Sequence, residues 1–392
     1  MAEVAGGKAS GAPIFALSDD DRAIAEMARG FADENLAPHA LLWDETRYFP
    51  VDVLKKAAEL GMAACYVSEG HGGSGLSRMQ TALVFEALST GCPSIAAYLS
   101  IHNMVAGMIE RFGDQALIAT YLPRLVGMEV LAAYCLTEPG SGSDAAALKS
   151  RARREGDTYV VDGVKQFISG AGSCDLYAVM VRTGDDGPKG ISCLLLEKGM
   201  PGLSFGANEK KMGWNAQPTR QVIMDSVRVP VANRLGAEGQ GFSIAMSGLD
   251  GGRLNISACA LGGAQAAYGK ARAYLGERQA FGKKLQDFQA LQFRIADLAI
   301  DLEAARTFLY ASAAAYDRQD PDASMRCAMA KRFVTDTASR VADGALQLLG
   351  GYGYLSEYGI EKIVRDLRVH QILEGTNEIM RLIVARSILG TR

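Results

Sequence analysis

None of the seven cysteines, at positions 65, 92, 135, 174, 193, 259 and 327, forms a C-x-x-C pair. None of the four histidines has another at i, i+4. A zinc site or a disulfide framework is therefore not expected, and buried free thiols in a reducing compartment are the better account. The chain also lacks a dense Lys/Arg block and carries a net charge of −3. Nucleic-acid binding, which needs a basic patch, is not expected. G-x-S-x-G and P-loop patterns are missing as well. The Ala/Gly-rich stretch Met1–Pro13 has neither the apolar core of a signal peptide nor the arginines of a transit peptide. Residues 1–17 read as a flexible lead. The expected location is the cytoplasm, or the mitochondrial matrix if a targeting segment has been removed. Cys92 to Ile109 contains no charged residue, but Pro93, Ser100, His102 and Asn103 interrupt it. A membrane span needs roughly 20 mostly apolar residues. A buried helix of a soluble protein fits better, and no membrane partner is expected.

What is present is an ordinary globular composition, 48% hydrophobic and 22% charged over 392 residues, enough for two or three domains. Three segments differ in pattern. Residues 18–128 read as helical: Ser18 followed by Asp19, Asp20 and Asp21 is a good helix start, and Met79, Leu83 and Leu88, with Val84 and Ala87, share one face. Residues 129–238 read as strands. Tyr159–Val161, an Asp162-Gly163 turn and Val164–Ile168 suggest a hairpin; Leu176–Val181, Ile191–Leu196 and Gln221–Met224 suggest further strands, with Pro230 beyond the last. Residues 239–392 return to helix. Leu291, Ile295, Leu298 and Leu302 are spaced i, i+4, i+7, i+11; Cys327–Leu349 is Ala-rich and periodic; Ile379, Leu382 and Ile383 mark a last helix. Long helices with short connections imply a bundle. The expected fold is mainly α with a central β domain.

Four motifs bear on chemistry. Gly70, Gly72 and Gly75 satisfy G-x-G-x-x-G, but the helical surroundings favour a loop over a dinucleotide site. Tyr134–Asp144 ends an apolar stretch in glycines and hydroxyls. Glycines let backbone approach a ligand closely, yet a plain loop accounts for the pattern equally well. Gly350-Gly351-Tyr352-Gly353-Tyr354 is either a helix C-cap or a close approach to phosphates. In His370–Glu378, Glu374 stands just before a helix. It either complements the helix dipole or, once desolvated, acts as a strengthened base.

Together YCLTEPGSGSD (Tyr134–Asp144), RQAFG (Arg278–Gly282), QLLGGYGY (Gln347–Tyr354) and QILEGTNEI (Gln371–Ile379) resemble, in order and spacing, the acyl-CoA dehydrogenase family. The likeness spans nearly the whole chain after Leu17. KMGWNAQPTR (Lys211–Arg220) and VRDLRVHQILEG (Val364–Gly375) are most similar to its isobutyryl-CoA branch. The resemblance implies N-terminal helices, a middle β-barrel-like domain and a C-terminal four-helix bundle. It implies FAD as cofactor, an acyl-CoA substrate, electron-transfer flavoprotein as acceptor and a homo-oligomer, a tetramer built as a dimer of dimers. It implies dehydrogenation of a short, branched acyl-CoA to the 2,3-enoyl-CoA: isobutyryl-CoA to methacrylyl-CoA in valine breakdown. A straight-chain or 2-methylbutyryl-CoA preference is the alternative. An oxidase, a monooxygenase on the same scaffold and a non-catalytic flavin binder are more distant ones; the monooxygenases usually lack the glutamate of the EGT motif.

By the same resemblance Glu374 is the catalytic base. Tyr134, Leu136, Thr137, Gly142, Ser143, Phe167, Ile168 and Ser169 would contact FAD. Arg278, Phe281, Phe288, Gln289, Gln347, Leu348, Gly350 and Gly351 would hold the FAD of a neighbouring subunit. Thr376, Asn377 and Glu378 would meet its pyrophosphate at a helix N-terminus. Ser143, Asp250, Arg253, Gly375 and Arg386 would contact the CoA substrate, and no metal is implied. Some relatives carry the base immediately before the arginine that matches Arg253; here that position is Gly252. Asp250 stands where the isobutyryl branch has Asn, and Leu373 where several straight-chain members have Tyr.

Overall fold

Ser18 opens the first helix. In the computed structural model, which describes residues 17–391, the Asp21 N–H donates to the Ser18 hydroxyl at 3.1 Å. The Ser18 N–H donates to the Asp21 carboxylate at 3.0 Å. This reciprocal cap satisfies donors that a helix start leaves open. The expected flexible lead lies almost wholly outside the described residues. Helices α1 (Asp19–Phe31), α2 (Ala40–Thr46), α3 (Val51–Glu59), α4 (Arg78–Gly91), α5 (Pro93–Phe112) and α6 (Gln115–Val126) form the first layer. Gly70, Gly72 and Gly75 lie in the turn and loop that lead into α4, with no strand before them. The face predicted from Met79 to Leu88 is buried.

The charge-free stretch is α5, and its polar interruptions are core residues with partners. Asn103 donates to the Met62 and Leu99 carbonyls, both at 2.9 Å, and accepts from the Cys65 N–H at 2.7 Å. His102 Nε2 lies 2.9 Å from the Leu125 carbonyl, and the Ala132 N–H donates to His102 Nδ1 at 3.2 Å. That pairing requires a neutral ring with the proton on Nε2, and burial holds the ring's pKa down at about 4. Among the described residues no helix is long and apolar enough to cross a membrane.

One eight-stranded sheet follows: β1 (Ala132–Cys135), β2 (Arg151–Glu155), β3 (Thr158–Ser169), β4 (Leu176–Arg182), β5 (Ile191–Glu197), β6 (Leu203–Phe205), β7 (Thr219–Pro230) and β8 (Arg234–Leu235). The strand order is β6-β7-β3-β2-β4-β5-β8, with β1 parallel to β4. The predicted Asp162-Gly163 hairpin is overturned. β3 runs straight through that dipeptide, and its register against β7 slips there, between Val161 and Gly163. The chain reverses earlier, at Gly156 between β2 and β3. Gly163 is needed for a bulge, because a Cβ on it would lie 2.3 Å from Ser150 Oγ. Asp162 bonds sideways, accepting from the Ser226 N–H at 2.7 Å. Pro230 does not stand beyond β7 but ends it, paired with Thr158.

The chain then returns to helices: α7 (Gly241–Glu277), a small hairpin of β9 (Gln279–Ala280) and β10 (Lys283–Lys284), α8 (Gln289–Asp317), α9 (Ala323–Leu348), α10 (Ile360–Arg368) and α11 (Asn377–Leu389). The i, i+4 row of α8 meets the core at Leu291, Ile295, Leu298 and Leu302. A buried ion pair, Arg306 to Glu86 at 2.9 Å, ties α8 to α4. α7 crosses α4 closely at Gly262, where a Cβ would come within 2.0 Å of the Glu86 carbonyl oxygen. Gly262→Ala is expected to destabilise the protein by about 1–3 kcal/mol, the usual cost of overpacking a core. Chemical denaturation would read this, and an unchanged midpoint would show that α4 and α7 can part freely. All seven cysteines are free and buried, as expected.

Candidate active site

A cavity of about 320 Å³ lies where α5, the loop after β1, the end of β3, the start of α7 and the turn before α11 converge. The turn is built by its neighbours. Leu373 N–H donates to the Val369 carbonyl at 3.0 Å, closing the chain after α10. Thr376 then caps α11, its hydroxyl accepting from the Ile379 N–H at 3.3 Å. Between these anchors Glu374 (φ 55°) and Gly375 (φ 89°) both adopt left-handed backbone. For glutamate that conformation is uncommon and has to be held in place. Arg253 Nε reaches the Glu374 carbonyl at 3.5 Å, and Lys331 Nζ donates to the Gly375 carbonyl at 2.8 Å.

The turn aims Glu374 at α7 across a bare spot. A Cβ on Gly252 would lie 2.3 Å from Glu374 Oε2. The residue is half-buried and borders the cavity. Its Oε2 is buried and has no hydrogen-bond partner among the described residues. Burial pushes the carboxyl up to about 7, against the opposing pull of Lys331 and Arg253. A carboxylate kept from water and unpaired is a stronger base than one in solvent, where its pKa is about 4.3.

Facing it is the loop after β1. Buried Lys165 pairs with Glu138 at 2.7 Å and donates to the Leu136 carbonyl at 3.1 Å. Glu138 also accepts from the Lys149 and Ser150 N–H groups, at 2.6 and 3.0 Å. The Gln166 N–H takes the Thr137 carbonyl at 2.8 Å. With these groups engaged inside the protein, Tyr134, Leu136, Thr137, Gly142 and Ser143 line the cavity. So do Phe167, Ile168 and Ser169 from the end of β3. A second register slip, between Lys165 and Ile168, leaves Phe167 in left-handed backbone and 64% exposed. An exposed ring, a bonded loop and free hydroxyls make a surface that fits a flat polar ring system.

The other predicted residues divide. Arg253 and Gly375 line the same cavity. Asp250 does not line it but pairs with Arg253 at 2.6 Å. Arg278, Phe281, Phe288, Gln289, Gln347, Gly350 and Gly351 lie elsewhere, around the β9–β10 hairpin and the end of α9. There Phe281 is 95% exposed, and Arg278 sits 5.5 Å from the Tyr352 ring. Leu348, beside them, is a core residue. Asn377 is buried, and its amide is engaged within the protein, donating to Thr335 at 3.0 Å and Asp336 at 2.7 Å. Glu378 is exposed beside Arg381, and Arg386 is exposed on the last turn of α11. Sequence reading passed over Trp214 as a site residue; it lines the cavity, its indole N–H buried and without a partner among the described residues. The available signal was its place in KMGWNAQPTR, a stretch already marked by its likeness. Met104, Phe242, Met246 and Leu249 complete the apolar wall, and nothing but their position marks them.

Family models for the acyl-CoA dehydrogenase N-terminal, middle and C-terminal domains match residues 18–129, 133–227 and 239–389. The chain belongs to the acyl-CoA dehydrogenase family. It is 52% identical over 377 residues to the mitochondrial isobutyryl-CoA dehydrogenase of Bos taurus, covering 96% of this chain and 91% of that protein. The enzyme of the same name from Dictyostelium discoideum matches with the same identity and coverage. The solved butyryl-CoA dehydrogenase of Megasphaera elsdenii is 36% identical with a TM-score of 0.93, over 96% of this chain and 99% of that one. Acyl-CoA dehydrogenases are oxidoreductases that use FAD. The resemblance read from the four motifs is borne out, as is the order of helical, β and helical parts.

Proposed function

We propose that this acyl-CoA dehydrogenase acts on a short, branched thioester, isobutyryl-CoA, and that Glu374 removes the proton from the carbon next to the carbonyl. The observation that carries the reading is the Glu374 carboxyl at the wall of the cavity, its Oε2 buried without a partner among the described residues and its pKa pushed up to about 7 by burial. A thioester α-proton is far less acidic than a carboxylic acid, so the base has to be strengthened and brought within reach. As the proton leaves, negative charge builds on the thioester oxygen. The Glu374 N–H, which donates to no acceptor among the described residues, is suited to receive it. Arg253, whose charge Asp250 offsets, supports the turn from the α7 side.

FAD would rest on Tyr134, Leu136, Thr137, Gly142, Ser143, Phe167, Ile168 and Ser169. The fit is a matter of chemistry: the Ser143 hydroxyl and the Phe167 ring are exposed, beside a loop whose Leu136 and Thr137 carbonyls are already bonded. Bound there, FAD supplies the acceptor for the β-hydride. The apolar wall keeps water from the base while Ser143 and Gly375 orient the thioester. Electrons pass on to an electron-transfer flavoprotein. The β9–β10 cluster, with Phe281 bare, suits the FAD of a neighbouring subunit in a tetramer. The buried, unpaired thiols suit a reducing compartment, cytoplasm or matrix.

The identity to isobutyryl-CoA dehydrogenases supports the acyl preference. Anaerobic bleaching of the flavin should be fastest with isobutyryl-CoA among isobutyryl-, butyryl-, 2-methylbutyryl- and isovaleryl-CoA. Faster bleaching by another thioester would replace the substrate and leave the mechanism; no bleaching by any of them would remove both.

A further inference from the structure

α9 carries a lysine that the mechanism above does not use. Lys331 is 0% exposed. A buried ammonium is costly unless its donors are met and an opposite charge lies near. Two of its three donors are met by neutral groups, the Gly375 carbonyl and Asn377 Oδ1, both at 2.8 Å. It forms no salt bridge among the described residues. The charged groups that face it are Glu374, Asp336 from α9 and Glu378 from α11, opposed by Arg253 from α7; buried His370 lies in the same field as a neutral ring. Burial lowers the ammonium's pKa to about 8, and of these charges Glu374 opposes that fall most. The lysine's opposite charge is thus the base itself, acting through space.

The rest of this α9 face holds the same turn at both ends. Asn377, at the start of α11, is fixed by Thr335 and Asp336. Gln371, before the turn, donates to the same Asp336 oxygen at 2.8 Å. Lys331 grips the middle, at the carbonyl of the second left-handed residue.

We propose that Lys331 is the positioning residue of the base: its ammonium holds the Glu374–Gly375 turn in its left-handed form, and its charge keeps Glu374 ionised where the enzyme works. The proposal rests on Glu374 being the base. It assigns the lysine no contact with substrate.

The test uses FAD-loaded Lys331→Met and follows anaerobic flavin reduction by isobutyryl-CoA at a series of pH values, with acyl-CoA Kd and thermal midpoint alongside. The limiting rate should fall on the order of 10- to 100-fold, as a displaced catalytic group predicts. Without the cation, the kinetic pKa of the base should rise by about one unit or more. Below that pKa the glutamate is protonated, so the loss should be deepest at low pH and partly relieved at high pH. Kd should stay within a few-fold, since the lysine does not touch substrate. An unchanged rate and pKa overturns the proposal. A lower rate with an unmoved pKa and a lower thermal midpoint also overturns it, since that is a merely structural lysine. If Lys331→Met does not fold, Asn377→Ala removes one of the two acceptors and should move rate and pKa the same way by less; no movement overturns the proposal. Glu374→Gln in parallel separates the two readings: if that variant stays active, the base assignment has failed and the role of Lys331 falls with it; if it is inactive while Lys331→Met keeps its rate and pKa, only the role of Lys331 has failed.

Discussion

Glu374→Gln is expected to bind FAD normally and to lose turnover by about 10³-fold or more, within the roughly 10²- to 10⁴-fold that a positioned general base contributes. The amide preserves the size of the side chain and the left-handed turn, so the cavity should keep its shape. It cannot accept a proton. In the parent protein, the rate of flavin reduction should rise with pH through about 7, where the carboxyl loses its proton. The sign follows from the role: only the ionised form is a base, and burial has raised the pH at which that form appears. The variant should show no such rise. A variant that reduces its flavin at near-normal rate, or retains the same pH step, would place the base elsewhere.

The second large effect is expected from moving the base. Gly252 is a bare spot on α7, with Glu374 Oε2 where a Cβ's nearest neighbour would be, 2.3 Å away. A glutamate rooted at 252 cannot share that space with the present one. Gly252→Glu alone should therefore push Glu374 off its position and cost about 10²-fold or more, the penalty of a catalytic group displaced by an ångström. In the double variant Gly252→Glu/Glu374→Gly the space is vacated, and a carboxylate enters from the other side. Activity should recover by about 10-fold or more over Glu374→Gly, since general-base catalysis is worth at least that. The measurement is single-turnover flavin reduction in all three variants. A double variant no faster than Glu374→Gly would show that the cavity admits a base from one wall only.

Helices were the legible part of the fold. A 3.6-residue period survives burial on any one face, so α4, α8 and α11 can be read from Met79–Leu88, Leu291–Leu302 and Ile379–Ile383. The sheet was less so. Asp162-Gly163 has the residues of a tight turn, but the same freedom of Gly163 serves a bulge, and only the approach of Ser150 decides between them. At the site, the EGT motif points to Glu374, whereas its burial, and with it its strength as a base, comes from groups far apart in the chain, the bare spot at 252 on α7 and a cavity wall from α5, with the cation at 331 opposing. Lys331 followed by Arg332 in an Ala-rich helix looks like a solvated face, and its complete burial has no signature in the sequence. The bonds from the Asn377 amide to Thr335 and Asp336 likewise have no signature in the sequence.

The seven buried thiols carry a practical consequence. Burial pushes Cys65, Cys174, Cys193 and Cys327 up to about 12, so almost no thiolate exists at neutral pH. Thiolate is the form that attacks alkylating agents and disulfides. The folded enzyme should thus ignore a thiol-specific dye, and colour should develop only as molecules open. Dye uptake becomes a clock for unfolding, one that runs without denaturant and does not depend on the flavin.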